Sequence, residues 1–337
     1  MRWYVSIGAI LVAGAMAGGD VAGLAAPGPG FQRAEGSRLV AVMRRSGKLA
    51  KDYAERHNVP RWYDDADALI HDAEVDAVYI ATPPSSHMEY TLRCARAGKP
   101  VYVEKPMAMT FEECQAMIHA CDAAKVPLFV AYYRRALDRF LAIKQLVDSG
   151  SIGHVRFVNI TLYQPLLPEE LGSGTLPWRV DPAISGGGRF ADLASHMLDF
   201  LDFVLGPIRE ARGFASNQAG KYRADDIVSA SFAFESGVLG TGNWCFAGFD
   251  RYDLTEIVGS AGKISYATFD YGPVVVTTAM GTTEMSFDPP PHIQQPMIQT
   301  VVTALNGGVA SPSTGVSAAR TSWVIDQILA NSSSPRK

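Results

Sequence analysis

The stretch VDAVYIATPP, residues 75–84, decides the fold class. Its apolar residues run without alternation into Thr82-Pro83-Pro84, which is typical of a strand buried on both faces of a parallel sheet. Apolar runs at residues 39–43, 100–103 and 127–131 repeat this signal. Helical patterns separate the runs, and strands that alternate with helices predict an α/β fold with a doubly wound parallel sheet.

The pattern changes after about residue 150. Five segments alternate or are rich in β-branched and aromatic residues, which predicts a large, mostly antiparallel open sheet: residues 155–163, 227–235, 238–246, 254–258 and 274–278. One strong helix is predicted at residues 191–205. We therefore expect a parallel-sheet domain over residues 1–131, an α+β domain over residues 132–330 and a disordered tail over residues 331–337.

Composition excludes several classes of protein. Of the 337 residues, 47% are hydrophobic and 19% are charged, as in globular proteins with a core, and the net charge of −4 gives no basic footprint for nucleic acid. The four cysteines show neither CxxC nor zinc-finger spacing. We therefore predict no disulfide framework, no metal site and a reducing compartment. No multi-pass membrane pattern is present, so no membrane association is expected.

The first 26 residues, MRWYVSIGAILVAGAMAGGDVAGLAA, fit two structures. They resemble a secretory signal peptide, which would place the protein in the periplasm, but they also suit a first strand followed by a glycine loop. We favour the strand and the cytoplasm, because cleavage after Ala26 would remove that strand. The glycines do not form a clean G-x-G-x-x-G, so the phosphate-binding loop stays open among four candidates: Gly8, Gly14, Gly18 and Gly19.

The predicted helix at residues 191–205 carries one polar face. At 100° per residue, an arc of about 120° holds Asp192, Ser195, His196, Asp199 and Asp202. Such a face is usually a solvated stripe. Because it contains no Lys, Arg or Glu and the rest of the helix is apolar, we favour a face that lines a cleft. Gly186-Gly187-Gly188, just before the helix, permits a tight turn or close approach to a ligand.

Two further groups follow predicted parallel strands, where such sheets bind ligands. Lys105, between Glu104 and Pro106, could polarise a hydroxyl or carbonyl oxygen. Arg44-Arg45 stand where an NAD-binding fold would place Asp or Glu, and arginine suits the 2′-phosphate of NADP. His87 begins a predicted helix, where it could face a cofactor or cap the helix.

The chain resembles the Gfo/Idh/MocA oxidoreductases, the glucose–fructose oxidoreductase and inositol dehydrogenase family. The similarity extends from about Phe31 to about Ile328. It is carried by ATPPSSH at residues 81–87, Glu104-Lys105-Pro106, YYRR at residues 132–135, Trp178-Arg179, Gly186-Gly187-Gly188 and Asp192-x-x-x-His196.

The resemblance implies a Rossmann dinucleotide-binding domain, and a substrate domain whose sheet forms a homodimer or homotetramer. Lys105 would be the catalytic lysine, Asp192 the substrate-orienting carboxylate and His196 the general acid/base. The cofactor would be lined by Thr82, Pro83, Pro84, His87, Glu104, Lys105, Arg134, Trp178 and Arg179. A sugar or polyol would be the substrate, and loops such as residues 166–177 would select it. The Lys105–Pro106 bond would be cis.

NADP(H) is favoured over NAD(H), as in family members of the 1,5-anhydrofructose reductase type. Three other activities on this fold stay open: a dinucleotide-binding regulator without chemistry, an NAD-dependent glycosidase and a dihydrodiol dehydrogenase. Lys105, Asp192 and His196 argue against the regulator, since a sensor does not need them.

Overall fold

The computed structural model describes residues 5–11, 27–172 and 174–332. They form two compact units. The first contains the described residues through Ala108, together with Glu112–Leu137 and Pro289–Ala319. The second contains Met109–Phe111, Asp138–Asp288 and the described residues from Arg320 onward. The predicted second domain, residues 132–330, therefore needs a correction, because residues 289–319 pack with the first unit.

The strands are, in chain order, β1 (Val5–Leu11), β2 (Ser37–Met43), β3 (Arg61–Tyr63), β4 (Ala77–Ala81), β5 (Val101–Val103), β6 (Leu128–Val130), β7 (Val155–Tyr163), β8 (Ile208–Ser216), β9 (Ile227–Phe234), β10 (Leu239–Cys245), β11 (Tyr252–Gly259), β12 (Gly262–Tyr266), β13 (Val274–Thr278) and β14 (Gly281–Met285). The helices are α1 (Pro27–Arg33), α2 (Gly47–Arg56), α3 (Ala66–Ile70), α4 (His87–Arg96), α5 (Phe111–Ala124), α6 (Asp138–Asp148), α7 (Pro168–Leu171), α8 (Pro182–Ser185), α9 (Gly188–Leu205), α10 (Gln295–Leu305) and α11 (Gly315–Ile328). Short 3-10 helices cover Pro84–Ser86, Tyr133–Ala136 and Trp178–Val180.

The first unit contains a six-stranded parallel sheet in the order β3-β2-β1-β4-β5-β6. This is the strand order of dinucleotide-binding folds, and it confirms the predicted Rossmann architecture. One side of the sheet packs against α1 and α10, and the shared core includes Phe31, Tyr79, Met297, Ile298, Val301 and Val302. Burial of these side chains is what ties residues 289–319 to the first unit.

Strand β1 lies at the centre of this sheet. All seven of its residues are buried, and it pairs with β2 on one side and β4 on the other. The strand prediction for the N-terminus is thus confirmed at Val5–Leu11. Gly8 lies inside the strand rather than in a loop, and a Cβ there would come 2.8 Å from Leu69 Cδ2 and 3.0 Å from Val75 Cγ1. The other loop candidates, Gly14, Gly18 and Gly19, lie outside the described residues.

The second unit contains an eight-stranded sheet in the order β14-β13-β12-β11-β7-β10-β9-β8. Only β7 and β10 pair in parallel, so the prediction of a mostly antiparallel sheet is confirmed. The predicted bounds of β7 and β13 agree with the structure at both ends, and β8, β12 and β14 were not predicted.

Helix α9 begins three residues before its predicted start, because three glycines build the turn that precedes it. Gly186, Gly187 and Gly188 have φ values of 77°, 149° and 68°, which L-residues with a Cβ rarely adopt. A Cβ on Gly186 would lie 3.0 Å from Met109 Cα, and one on Gly188 would lie 2.4 Å from Ala224 Cβ. The predicted tight turn is therefore confirmed.

Within residues 5–11, 27–172 and 174–332, no helix combines the length and the hydrophobicity needed to cross a membrane.

We expect Gly188→Ala to lower the free energy of unfolding by about 2–4 kcal/mol, since the new methyl group adds backbone strain to a steric clash. Chemical denaturation followed by circular dichroism measures this change. Gly272→Ala is the matched control, because a Cβ there would meet nothing within 4 Å and its φ is outside the left-handed region. Equal losses in the two variants would contradict the explanation.

Candidate functional site

The carboxyl ends of the parallel strands bring the predicted cofactor residues of the first unit to one edge of the sheet. Arg44-Arg45 follow β2, Thr82-Pro83-Pro84 follow β4, and Glu104-Lys105-Pro106 follow β5. Because β2, β1, β4 and β5 are neighbours and parallel, these three segments leave the sheet on the same side. This is the edge at which doubly wound sheets bind nucleotides.

The turn after β5 carries Lys105. The Lys105–Pro106 bond is cis, as the family resemblance implies. Glu104 is half-buried, and its carboxylate accepts hydrogen bonds from Tyr79 Oη at 2.5 Å, from Gln294 Nε2 at 2.7 Å and from the Lys105 main-chain N–H at 3.2 Å. The carboxylate of Glu104 is therefore turned toward protein donors on both oxygens.

His87, the first residue of α4, is fully buried and does not cap the helix. Its Nδ1 lies 3.0 Å from the Pro106 carbonyl oxygen, and its Nε2 lies 2.7 Å from the Thr82 carbonyl oxygen. Burial lowers the pKa of His87, although the carbonyls and the Glu104 charge oppose this shift. The ring thus joins the turn after β4 to the turn after β5, and the cofactor contact of His87 stays a prediction.

Arginines mark both flanks of this edge. Arg44 is half-buried and Arg45 exposed, and in the described part of the chain Arg44 Nε has no hydrogen-bond partner. Arg134 lies just after β6, is 5% exposed and has its Cζ 5.0 Å from the centre of the Tyr133 ring. Its neighbour Arg135 donates a hydrogen bond to the Pro312 carbonyl at 3.1 Å.

In the second unit, the polar face of α9 is not a solvated stripe. Ser195, His196, Asp199 and Asp202 are only 0%, 4%, 1% and 5% exposed. Asp202 forms a two-pronged ion pair with Arg320 of α11, with N–O distances of 2.7 and 2.5 Å. The C-terminal half of this face is thus used to bind α11.

The N-terminal half of the same face carries Asp192 and His196. Arg179 Nε lies 3.4 Å from Asp192 Oδ2, and its guanidinium carbon lies 4.5 Å from the centre of the Trp178 ring. The structure thus places Trp178 and Arg179 beside Asp192. The His196 ring meets the ring of Phe269 edge-on, with a centroid distance of 5.9 Å.

The loop that holds Phe269 was not singled out by the sequence. The Asp253 carboxylate accepts main-chain N–H groups of Thr268, Phe269 and Asp270 at 3.0, 2.6 and 3.2 Å. Arg139 donates to the carbonyls of Ala267 and Asp270 at 2.7 and 2.9 Å. No local pattern marks Asp253 or Arg139, because their partners lie far along the chain.

The predicted substrate loop, residues 166–177, is anchored by a buried ion pair. Glu170 of α7 meets Arg189 of α9 with N–O distances of 2.7 and 2.6 Å, and the two side chains are 1% and 7% exposed. The other oxygen of Glu170 accepts the Leu167 main-chain N–H at 2.9 Å. This ion pair fixes the start of the loop to α9.

Known proteins match nearly the whole chain. A family profile described as "Oxidoreductase family, NAD-binding Rossmann fold" matches residues 10–132, and one described as "GFO/IDH/MocA C-terminal domain" matches residues 140–265. Oxidoreductase P35 of Formosa agariphila is 36% identical over 89% of this chain and 92% of its own length. The 1,5-anhydro-D-fructose reductase of Ensifer adhaerens is 29% identical over 77% of this chain and 78% of its own. The aldose-aldose oxidoreductase of Caulobacter crescentus, solved with glycerol, superposes with a TM-score of 0.82, is 25% identical and covers 96% of both chains.

We expect Arg189→Met to lower the free energy of unfolding by about 3–5 kcal/mol, because Glu170 would stay buried without its cation. The double variant Arg189→Met/Glu170→Leu should recover most of this loss, since neither side chain of the pair then leaves an uncompensated buried charge. Denaturant unfolding of the parent, both single variants and the double variant measures the coupling. A double variant no more stable than Arg189→Met would contradict the explanation that the loss comes from the unpaired charge of Glu170.

Proposed function

Because the chain belongs to the Gfo/Idh/MocA family of oxidoreductases, we propose that it transfers a hydride between NADP(H), in preference to NAD(H), and a sugar, a polyol or a related ketone or alcohol. The observation that carries the proposal is the position of Lys105. It stands at the carboxyl end of β5, in a parallel sheet with the strand order of dinucleotide-binding folds. The relatives named 1,5-anhydro-D-fructose reductase and aldose-aldose oxidoreductase support a carbohydrate substrate.

The edge of the first sheet suits a nicotinamide dinucleotide. Thr82-Pro83-Pro84 and Glu104 would line it, and Arg134 would add a positive charge. Arg44 and Arg45 would bind the 2′-phosphate, and the half-buried guanidinium of Arg44 supports this role because its Nε has no hydrogen-bond partner within the described residues. Trp178 and Arg179 remain predicted cofactor residues.

The roles of the side chains follow from proton and charge balance at the substrate oxygen. When bound, the cofactor supplies or accepts the hydride. In reduction, His196 would donate a proton to the oxygen, and the Lys105 ammonium would stabilise the negative charge that forms there. Asp192 would orient His196 or an adjacent substrate hydroxyl, and Arg179, whose Nε lies 3.4 Å from Asp192 Oδ2, would hold its carboxylate in place.

A homodimer or homotetramer built through the second sheet remains a prediction of the family resemblance. A cytoplasmic location remains a prediction from the cysteine pattern and from the need for an N-terminal strand.

We expect NADPH to bind more tightly than NADH in a fluorescence titration of the full chain. Replacing both Arg44 and Arg45 by Ala should weaken NADPH binding by about 10- to 100-fold and leave NADH binding nearly unchanged, since only NADPH carries the 2′-phosphate. Arg96→Ala is the matched control, because Arg96 is exposed at the last turn of α4. Tighter NADH binding in the parent would overturn the cofactor preference but not the oxidoreductase activity.

We expect Lys105→Ala and His196→Ala each to reduce turnover by ~10²–10⁴-fold, with cofactor affinity retained. The assay follows the NADPH absorbance over many turnovers with a panel of sugars and sugar ketones. Lys51→Ala, on the exposed side of α2, controls for the loss of a lysine. Near-normal turnover in either variant would refute that residue's role. A sustained absorbance change in the parent excludes a glycosidase and a regulator, neither of which consumes the cofactor.

A further inference from the structure

Three hydrogen-bond donors converge on the carboxylate of Glu104. Tyr79 Oη and Gln294 Nε2 both donate to Oε1, at 2.5 and 2.7 Å, and the main-chain N–H of Lys105 donates to Oε2 at 3.2 Å. The carboxylate therefore links two side chains on one oxygen to the backbone of Lys105 on the other. An arrangement of donors alone suits the ionised carboxylate, whose oxygens can only accept.

The two side-chain donors come from distant parts of the first unit. Tyr79 lies in β4, which is the neighbour of β5 in the sheet. Gln294 precedes α10 and lies 190 residues beyond Glu104. It occupies the N-cap position of α10, but its side chain makes no capping hydrogen bond and extends to Glu104 instead. Gln294 is 8% exposed, so water competes little for this contact.

We propose that Tyr79 and Gln294 are positioning residues that fix the main chain of Lys105 through the Glu104 carboxylate. The part of this inference that concerns turnover rests on the proposed function; the part that concerns the backbone does not.

Positioning matters at Lys105 because a lysine side chain is long and flexible. Small displacements of a reacting group cost large factors in rate, so a fixed Cα limits how far the ammonium can depart from the substrate oxygen. Hydrogen bonds to a charged group are the strong ones, and Glu104 receives three. Burial, followed by the charge of Glu104, raises the pKa of Tyr79 well above its usual value, so its hydroxyl remains a donor at all working pH values.

Tyr102 provides a comparison within the same core. Its ring lies 5.2 Å from the Tyr79 ring, and the residue is 3% exposed. In the part of the chain that the structure describes, its hydroxyl has no hydrogen-bond partner. Removing this hydroxyl takes one buried oxygen from the core, as removing that of Tyr79 does, but it removes no hydrogen bond to Glu104.

The experiment compares Tyr79→Phe and Gln294→Met with Tyr102→Phe in the full chain. Hydrogen–deuterium exchange of the Lys105 amide, read by mass spectrometry without cofactor or substrate, reports the backbone directly. We expect exchange about tenfold faster in Tyr79→Phe and Gln294→Met. Each variant removes one hydrogen bond that holds the Glu104 carboxylate, which accepts the Lys105 amide. Tyr102→Phe should exchange like the parent. Gln299→Leu, which breaks the contacts of α10 with the Glu35 main chain instead, should also leave Lys105 unchanged.

Kinetics separate positioning from general destabilisation. We expect kcat to fall about tenfold in Tyr79→Phe and Gln294→Met, with KM and the Kd for NADPH within about twofold of the parent. Unchanged Lys105 exchange in both variants, or equal effects in Tyr102→Phe, would overturn the proposal. If the parent turns over no sugar but Lys105 exchanges faster in Tyr79→Phe and Gln294→Met, the positioning role is supported and the proposed function is contradicted.

Discussion

A polar side chain that leaves water needs a hydrogen-bond or ion-pair partner, and α9 carries five such side chains into the interior of the second unit. This requirement organises much of what surrounds the helix. Asp202 draws Arg320 against it, and Asp199 lies 3.5 Å from the Thr321 hydroxyl, so α11 is fixed where the helix is most charged. His196 lies against Phe269, whose loop is itself held by Asp253. The polar face of α9 is therefore enclosed by α11 on one part and by the Phe269 loop on another.

Much of the fold could be predicted from local sequence because its strands are bounded apolar or alternating runs. Strands β7 and β13 were predicted with their observed ends. Strand β14, GTTEM, could not be predicted, since all of its residues are exposed or half-exposed and it pairs only at the edge of the sheet. Residues 289–319 read as a continuation of the second domain, because a helical pattern does not indicate which sheet it will cover.

The site divides in the same way. Lys105, Asp192 and His196 could be proposed from the sequence because strand ends and helical spacing mark them within a few residues. Gly8 was a candidate for the phosphate-binding loop, but it lies in β1. A glycine allows close packing against a side chain such as Leu69 as well as close approach to a phosphate, and the sequence does not separate the two. The partners of Glu104 and of Phe269 could not be found, since Gln294 and Asp253 meet them only in the folded chain. The motif predicts a ligand contact for His87, but its contacts with the carbonyls of Thr82 and Pro106 could not be predicted, since they form only in the folded chain.

The path of the chain has a consequence for biosynthesis. The ribosome completes all six strands of the first sheet by Val130, whereas α10, which covers one side of it, ends at Leu305. At about 5–20 residues per second, the delay between the two is on the order of 10 seconds. While the intervening residues are being made, the side of the sheet around Phe31 lacks the cover that α10 later provides. The first unit therefore starts to form before the second, but it cannot be completed until residues 289–319 have been made, after most of the second unit.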